Sequence, residues 1–262
     1  MLTISRACVL GAGRIGSALA KAFISHRIPL NIYNRSSMRL DDFRDRTDVS
    51  VFTDAAKAVE GCDWIFICTE GDAVASMALS AGANTKAVIV SCAASSSYSS
   101  LEVLTALLGE RPVIRLIPNI AATIGASTNV MCYANIQPDT AQEYADGLSG
   151  ILGDTIILPE RLLAAGMALS SCGIAYALRY IRAAQTAGIQ MGLDAGTAAQ
   201  LAAGALVGAG ELIRKDMGHP EQLADRVCTP GGFTIKGLNA LDEKGFSAAV
   251  QTALITAAGA KS

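Results

Sequence analysis

Ala7-Cys8-Val9-Leu10-Gly11-Ala12-Gly13-Arg14-Ile15-Gly16 is the stretch on which the fold turns. A short apolar run ends in GxGxxG, and residues 17–25 behind it have helical composition. Glycine at these three places suits a strand-to-helix turn wrapped around a pyrophosphate. Gly11 permits the tight turn, Gly13 leaves the backbone bare toward the phosphates, and Gly16 lets strand and helix approach closely. The N–H groups of the first helical turn and the helix dipole attract the anion. Gly11, Ala12, Gly13, Arg14, Ile15 and Gly16 are thereby assigned to a dinucleotide.

The chain on either side fits that frame. Apolar runs at 30–33, 49–52, 64–68, 87–92 and 113–117 alternate with helical stretches at 54–60 and 101–108. Runs at 64–68 and 87–92 are continuously apolar, as in strands covered on both faces. The alternation predicts an α/β fold with a Rossmann-like, doubly wound, mostly parallel sheet. Further strands are expected at 129–134 and 155–158 around a helix at 139–152. Near Pro159 the pattern changes. From Arg161 onward the composition is helical, with stretches expected at 161–191, 195–217, 220–227, 233–241 and 247–258, the first of them unbroken or broken near Gly173. We place the division at 1–159 and 160–262.

Composition bounds the function. The 262 residues carry 21 basic and 23 acidic side chains, a formal charge of −2, which disfavours a broad nucleic-acid surface. No apolar run reaches the roughly 18 residues of a membrane span, and the N-terminus does not read as a signal peptide, since no long apolar region follows. Seven cysteines (8, 62, 68, 92, 132, 172, 228) are scattered with no CxxC, and histidines stand only at 26 and 219. A reducing, cytoplasmic setting and no metal site are expected. The second half is too apolar for helices that stand alone. Either a monomer core or another subunit must cover it, and we expect another subunit.

The end of the second strand selects the dinucleotide. An NAD site places a carboxylate there for the ribose hydroxyls. This chain reads Tyr33-Asn34-Arg35-Ser36-Ser37. Arg35 can pair with a 2′-phosphate, and Ser36 and Ser37 can donate to it, so the expected cofactor is NADP(H), with Asn34, Arg35 and Ser36 assigned to its site. Cys68 and Thr69, ending the fourth strand, and Asn119, ending the sixth, complete the expected cofactor site.

Reduction of a carbonyl wants an acid to protonate the alkoxide. β-Hydroxyacid dehydrogenases use a Lys on the first long helix of the second domain. Here that region reads Ser171-Cys172-Gly173-Ile174-Ala175-Tyr176-Ala177-Leu178-Arg179, without Lys. Lys215, Lys236, Lys244 and Lys261 are poorly placed for the role. An imine is protonated from solution before hydride arrives, so positioning suffices. The missing acid favours a C=N substrate.

Four segments resemble the pyrroline-5-carboxylate reductase family. They are GAGRIGSAL; Arg115-Leu116-Ile117-Pro118-Asn119 (family R-x-M-P-N); LSSCGIAYAL at 169–178 (family L-S-G-S-G-P-A-Y); and Val227-Cys228-Thr229-Pro230-Gly231-Gly232-Phe233-Thr234-Ile235 (family V-x-S-P-G-G-T-T). The turn at 188–193 is similar too. The resemblance implies NADPH-dependent reduction of pyrroline-5-carboxylate to proline. It also implies an all-helical C-terminal dimerisation domain that forms a homodimer or larger homo-oligomer. Thr229, Gly231, Gly232, Phe233 and Thr234 would hold the substrate carboxylate, with bare glycine N–H groups as the anion site. Thr234 would face the imine nitrogen as the catalytic residue.

Several positions depart from the family pattern: Glu70-Gly71 for Lys-Pro, Ala94-Ser95 for Ala-Gly, Ser171, Cys172 and Ile174 in the helix motif, and Phe233 after the glycines. These leave two alternatives open. One is a paralogue acting on a different or substituted cyclic imino acid. The other is a protein that binds NADP(H) without turnover. Glu70 is expected to be a loop charge and Cys172 an inert replacement for Ser.

Overall fold

A computed structural model describes residues 4–82, 87–94 and 99–259. Ser95 and Lys261, named above, lie outside them. The chain forms one compact unit up to Ser171 and a second from Cys172.

The first unit is an eight-stranded sheet in the order β3-β2-β1-β4-β5-β6-β7-β8. Its strands are β1 (Ala7–Leu10), β2 (Leu30–Tyr33), β3 (Val49–Phe52), β4 (Trp64–Ile67), β5 (Val88–Ser91), β6 (Val113–Ile117), β7 (Asn129–Ala134) and β8 (Thr155–Ile157). The helices between them are α1 (Arg14–Ser25), α2 (Asp41–Arg44), α3 (Ala55–Ala58), α4 (Ala73–Gly82), α5 (Leu101–Leu108) and α6 (Pro138–Leu152). Every pairing is parallel except β6 with β7. A parallel return needs a long crossover. The β6–β7 connection is only a short loop with one 3-10 turn, Ile120–Ile124, so the chain reverses there.

β1, β4 and β5 are buried along their whole length. Their side chains alternate between two cores. Trp64 and Phe66 join Val9, Phe23 and Leu148 on one face; Ile65 and Ile67 join Leu10, Ile89 and Leu104 on the other. Phe23 stacks at a tilt on Phe66 with centroids 4.9 Å apart, and Tyr144 meets Trp64 edge-on at 4.9 Å. α1 buries small residues, Gly16, Ala18, Ala20 and Ala22, so the elements on its several sides can lie close.

Residues beyond 159 also pack on the sheet, up to Ser171. Glu160 is tied to Arg115 of β6 at 2.7 Å, and Leu163, in α7 (Leu163–Met167), packs with Ile117, Val130 and Cys132. Gly166 fits against Val130 and Leu158, where a Cβ would stand 2.8 Å from Val130 Cγ1. These contacts hold residues 160–171 to the sheet. A π-helical turn, Ala168–Cys172, then precedes α8 (Gly173–Gln190) where a break near Gly173 was one expectation.

The second unit is α8, α9 (Ala195–Arg214), α10 (Pro220–Val227), α11 (Phe233–Glu243) and α12 (Phe246–Ala257). Gly188 allows α8 and α9 to touch, since a Cβ there would stand 2.7 Å from Ala198 Cβ. Gly192, at φ +97, ends α8, and Asp194 caps α9 by accepting from Thr197 N–H at 3.0 Å. Among the described residues of α8–α12, only Gly188 and Ala198 are buried. Leu178, Leu201, Val207, Val250 and Ile255 are exposed.

Averaged along their length, Glu160–Gln190 and Ala195–Arg214 are long and apolar enough to cross a membrane, although charged residues interrupt the first of them. Arg179 and Arg182 lie within the first stretch, and a charge at a bilayer centre costs about 2.5–3.5 kcal/mol.

Candidate functional site

The strand order reverses between β1 and β4, and a crevice opens there at the carboxyl ends of the strands. A cavity of about 620 Å³ occupies it. Gly11, Gly13, Arg14, Ile15 and Asn34 form one side; Cys68, Thr69, Glu70, Cys92 and Ile120 form the other, with Arg39 at the rim.

The three glycines are required in different ways. Gly11 takes φ +111, and a Cβ would lie 2.9 Å from the Cys68 carbonyl oxygen. At Gly16 a Cβ would overlap the Gly11 carbonyl oxygen. Above Gly13 the space is open: the nearest atom to an added Cβ is Arg39 Nη1 at 3.9 Å. Gly13 is also the N-cap of α1 and carries no side chain to close off the helix end. An anion therefore has both room and bare donors there. Asn34 braces the turn: its Oδ1 accepts from Ala12 N–H at 3.1 Å, and its Nδ2 donates to the Ser36 carbonyl at 2.9 Å.

Thr69 adds an independent sign of a ligand. Its hydroxyl is buried and has no hydrogen-bond partner among the described residues. Such an orphan costs about 1–3 kcal/mol unless something fills the place. The glycine cradle, the basic rim and this hydroxyl together fit a dinucleotide.

The expected cofactor residues do not all converge. Gly11, Gly13, Arg14, Ile15, Asn34, Cys68 and Thr69 line the cavity, while Ala12 and Gly16 are buried behind it. Arg35 and Ser36 are exposed beyond it, and the arginine that borders it is Arg39. The motif reading missed Arg39 because it counted only from the strand end. The 3-10 turn Ser37–Leu40 bends the chain back and returns the fourth residue after Arg35 to the crevice. Asn119 stands next to the cavity-lining Ile120. It is buried, its Oδ1 accepts from Ala121 N–H at 2.8 Å, and its Nδ2 donates to the Ser170 carbonyl at 3.2 Å. Its side chain is thus occupied in shaping the turn that presents Ile120 to the cavity. Glu70, expected to be a plain loop charge, stands in the cavity wall.

The expected substrate loop lies in the second unit. Thr229-Pro230-Gly231-Gly232 is a turn with proline second and a glycine third at φ +71, closed by Gly232 N–H donating to the Thr229 carbonyl at 2.9 Å. This is the geometry of a type II turn. It corrects the expectation that both glycine N–H groups are bare: the Gly232 donor is spent inside the turn. Gly232 is the N-cap of α11, so the first N–H groups of that helix, from Phe233 onward, have no carbonyl within the helix to bond. Thr229 and Thr234 are exposed, and the Phe233 ring is 93% exposed.

Comparison with known proteins bears on both units. Residues 160–262 match the family model described as pyrroline-5-carboxylate reductase dimerisation, and residues 6–95 match that of NADP oxidoreductase, coenzyme F420-dependent. A pyrroline-5-carboxylate reductase of Methanosarcina acetivorans is 31% identical, over 95% of this chain and 93% of that protein. Pyrroline-5-carboxylate reductase 1 of Dictyostelium discoideum is also 31% identical, over 95% of this chain, which spans only 48% of its length. Among solved structures, the Plasmodium falciparum pyrroline carboxylate reductase, with NADP bound, superposes with a TM-score of 0.83 at 22% identity, covering 99% of this chain and 97% of that one. At that identity the likeness speaks to the fold, a Rossmann-like unit followed by a helical one. The relative matched along nearly its whole length carries the assignment: this chain belongs to the pyrroline-5-carboxylate reductase family.

Proposed function

We propose that the protein reduces the cyclic imine pyrroline-5-carboxylate to proline, with NADPH as reductant. The observation that carries this reading is the full-length match to the family, joined to a glycine-cradled crevice in the first unit. When bound, NADPH supplies the hydride for the carbon of the C=N bond.

The chain's own residues bind and orient. Gly11, Gly13 and the start of α1 hold the pyrophosphate, and the Thr69 hydroxyl finds its missing partner on the cofactor. Arg39, with Arg35 and Ser36 further out, takes the 2′-phosphate, and no carboxylate follows Tyr33 to oppose it. Thr229 and the N-terminus of α11 hold the substrate carboxylate, and the Thr234 hydroxyl hydrogen-bonds the imine nitrogen. No protein acid is needed, because the iminium forms from solution. Lys215, Lys236 and Lys244 are all solvent-exposed, consistent with that. The exposed apolar faces of α8–α12 are covered by another copy of the chain, as a homodimer or a larger homo-oligomer. The setting is cytoplasmic and reducing, as seven cysteines dispersed without a CxxC pair suit.

A second reading is favoured by Phe233, whose ring projects from the first position of α11 where the family has a small residue. It is a reductase of a larger or substituted cyclic imino acid. One assay series separates these readings. NADPH oxidation is followed with pyrroline-5-carboxylate, then six-membered and substituted imino acids, then 2- and 3-oxo acids. The first reading predicts the highest kcat/KM with the five-membered ring, and the second predicts it with a larger one. Tight NADPH binding without consumption on any imine overturns both. Thr234→Ala lowers kcat roughly a hundredfold with NADPH affinity kept; unchanged turnover removes Thr234 from the site.

A further inference from the structure

Two thiols face each other in the wall of the dinucleotide cavity. β4 and β5 run in parallel register from Trp64↔Val88 to Ile67↔Ser91, so the next opposed pair is Cys68 and Cys92. The ladder continues there, since Cys92 N–H donates to the Ile67 carbonyl at 2.8 Å. Side chains alternate along a strand, and Phe66 and Val90 both lie in the core on the α1 side. Cys68 and Cys92 share that side: Cys92 belongs to the same core, and Cys68 packs on it. Adjacent strands lie about 4.8 Å apart, within the Cα separation of about 4.4–6.8 Å that a disulfide spans. The neighbouring Cys68 thiol and burial push the Cys92 pKa well above the ordinary thiol value. Cys68 is the more exposed of the two, and both border the cavity.

We propose that Cys68 and Cys92 are a redox-sensitive pair, closing to a disulfide with hydrogen peroxide, and that this disulfide and the dinucleotide exclude each other. The second half rests on the cofactor reading above. The deprotonated Cys68 sulfur attacks one peroxide oxygen, giving a sulfenic acid and hydroxide. The Cys92 thiol then attacks the Cys68 sulfur; the S–S bond forms and the sulfenic oxygen leaves as water, taking the Cys92 proton. Two thiols are oxidised, and one peroxide is reduced to two waters. A dithiol reductant reverses the change by exchange.

Exclusion follows from what Cys68 touches. The strand spacing admits the bond, but closing it turns the Cys68 side chain toward β5, with the Cβ atoms about 3.8 Å apart. That takes the Cys68 Cβ away from the phosphate turn that rests on it. Gly11 lies against the Cys68 carbonyl, and Gly16 faces the Cys68 Cβ. In the other direction, a bound dinucleotide covers the cavity wall through which peroxide reaches Cys68.

A second pair is a built-in control. The Cys8 and Cys62 thiols also neighbour each other, raising the Cys8 pKa, but both are buried in the core on the opposite face. Peroxide is expected to leave them as thiols.

The full-length protein, treated with stoichiometric peroxide and digested without reduction, is expected to yield a Cys68–Cys92 cross-linked peptide lighter by two hydrogens. NADPH binding, read by fluorescence titration, falls with the yield of that peptide and returns with dithiothreitol. NADPH at a hundred times its Kd slows cross-linking roughly a hundredfold. Cys92→Ala is expected to stop at a sulfenic acid on Cys68, trapped by dimedone. Peptides in which Cys68 and Cys92 stay unlinked while other cysteines oxidise overturn the pair. Cross-linking at the same rate with saturating NADPH overturns the exclusion. Titration of the reduced protein tests the cofactor reading separately: if it does not bind NADPH, that reading fails and takes the exclusion with it, while the digest still decides the pair.

Discussion

The two units differ in where they keep their apolar surface. The sheet unit has it inside: β1, β4 and β5 are buried end to end, and Phe23, Phe66, Ile67 and Leu104 are closed off on the two faces. The helical unit has it outside. Among the described residues of α8–α12 only a glycine and an alanine are buried, while Leu201 and Val207 are 61% and 66% exposed. A similar stock of apolar residues therefore stabilises the first unit within one chain and the second only when something covers it. Stability of the second unit should depend on protein concentration, and that of the first should not.

The largest expected effect breaks the second region alone. Leu201→Asp puts a charge on the surface to be covered, and burying an unpaired charge costs several kcal/mol. Sedimentation should show monomers, with hydrogen exchange fast over α8–α12 and still slow over β1, β4 and β5. Next, Gly16→Val breaks the first region alone. Its side chain would overlap the Gly11 carbonyl, and we expect a loss of at least about 3 kcal/mol in the unfolding of the sheet unit, with NADPH binding abolished. Arg115→Met then tests where the division lies. It strands Glu160, whose side chain is 32% exposed, so the cost falls below the roughly 3–5 kcal/mol of a fully buried pair, at about 2. Exchange should quicken over 160–171 and stay unchanged over α9–α12. The smallest effect is Arg39→Ala. Losing one charged hydrogen bond of about 1.5 kcal/mol weakens NADPH binding roughly tenfold, with NADH binding and oligomeric state unchanged. Arg35→Ala, further from the cavity, should do less.

Much of this was legible before the structure. Glycine spacing at 11, 13 and 16 encodes backbone approach, a property of single residues, so the cradle could be read directly. The strands at 7–10 and 113–117 and the helix at 101–108 fall where apolar runs and breakers place them. The Thr229-Pro230-Gly231-Gly232 turn is legible for the same reason, although the use of the Gly232 N–H inside it is not: that depends on which way the peptide faces. Arg39 was invisible because a 3-10 turn, weakly marked in sequence, swings it back to the crevice. The bonds that Asn119 makes to Ala121 and to Ser170, 51 residues distant, were not legible, because they depend on tertiary contacts. The antiparallel β6–β7 pair follows from the length of a connection, not from either strand. Residues 160–171, where the dimerisation family model begins, are helical in composition, but composition does not record that Arg115 and Val130 hold them to the sheet.

The most direct test of the account is product formation. Purified protein is given NADPH and pyrroline-5-carboxylate, and proline and NADPH are measured in the same samples. We predict one proline for each NADPH consumed, with the rate lost on saturation by NADP+. Tight NADPH binding with no proline formed, from this or any larger cyclic imine, would contradict it.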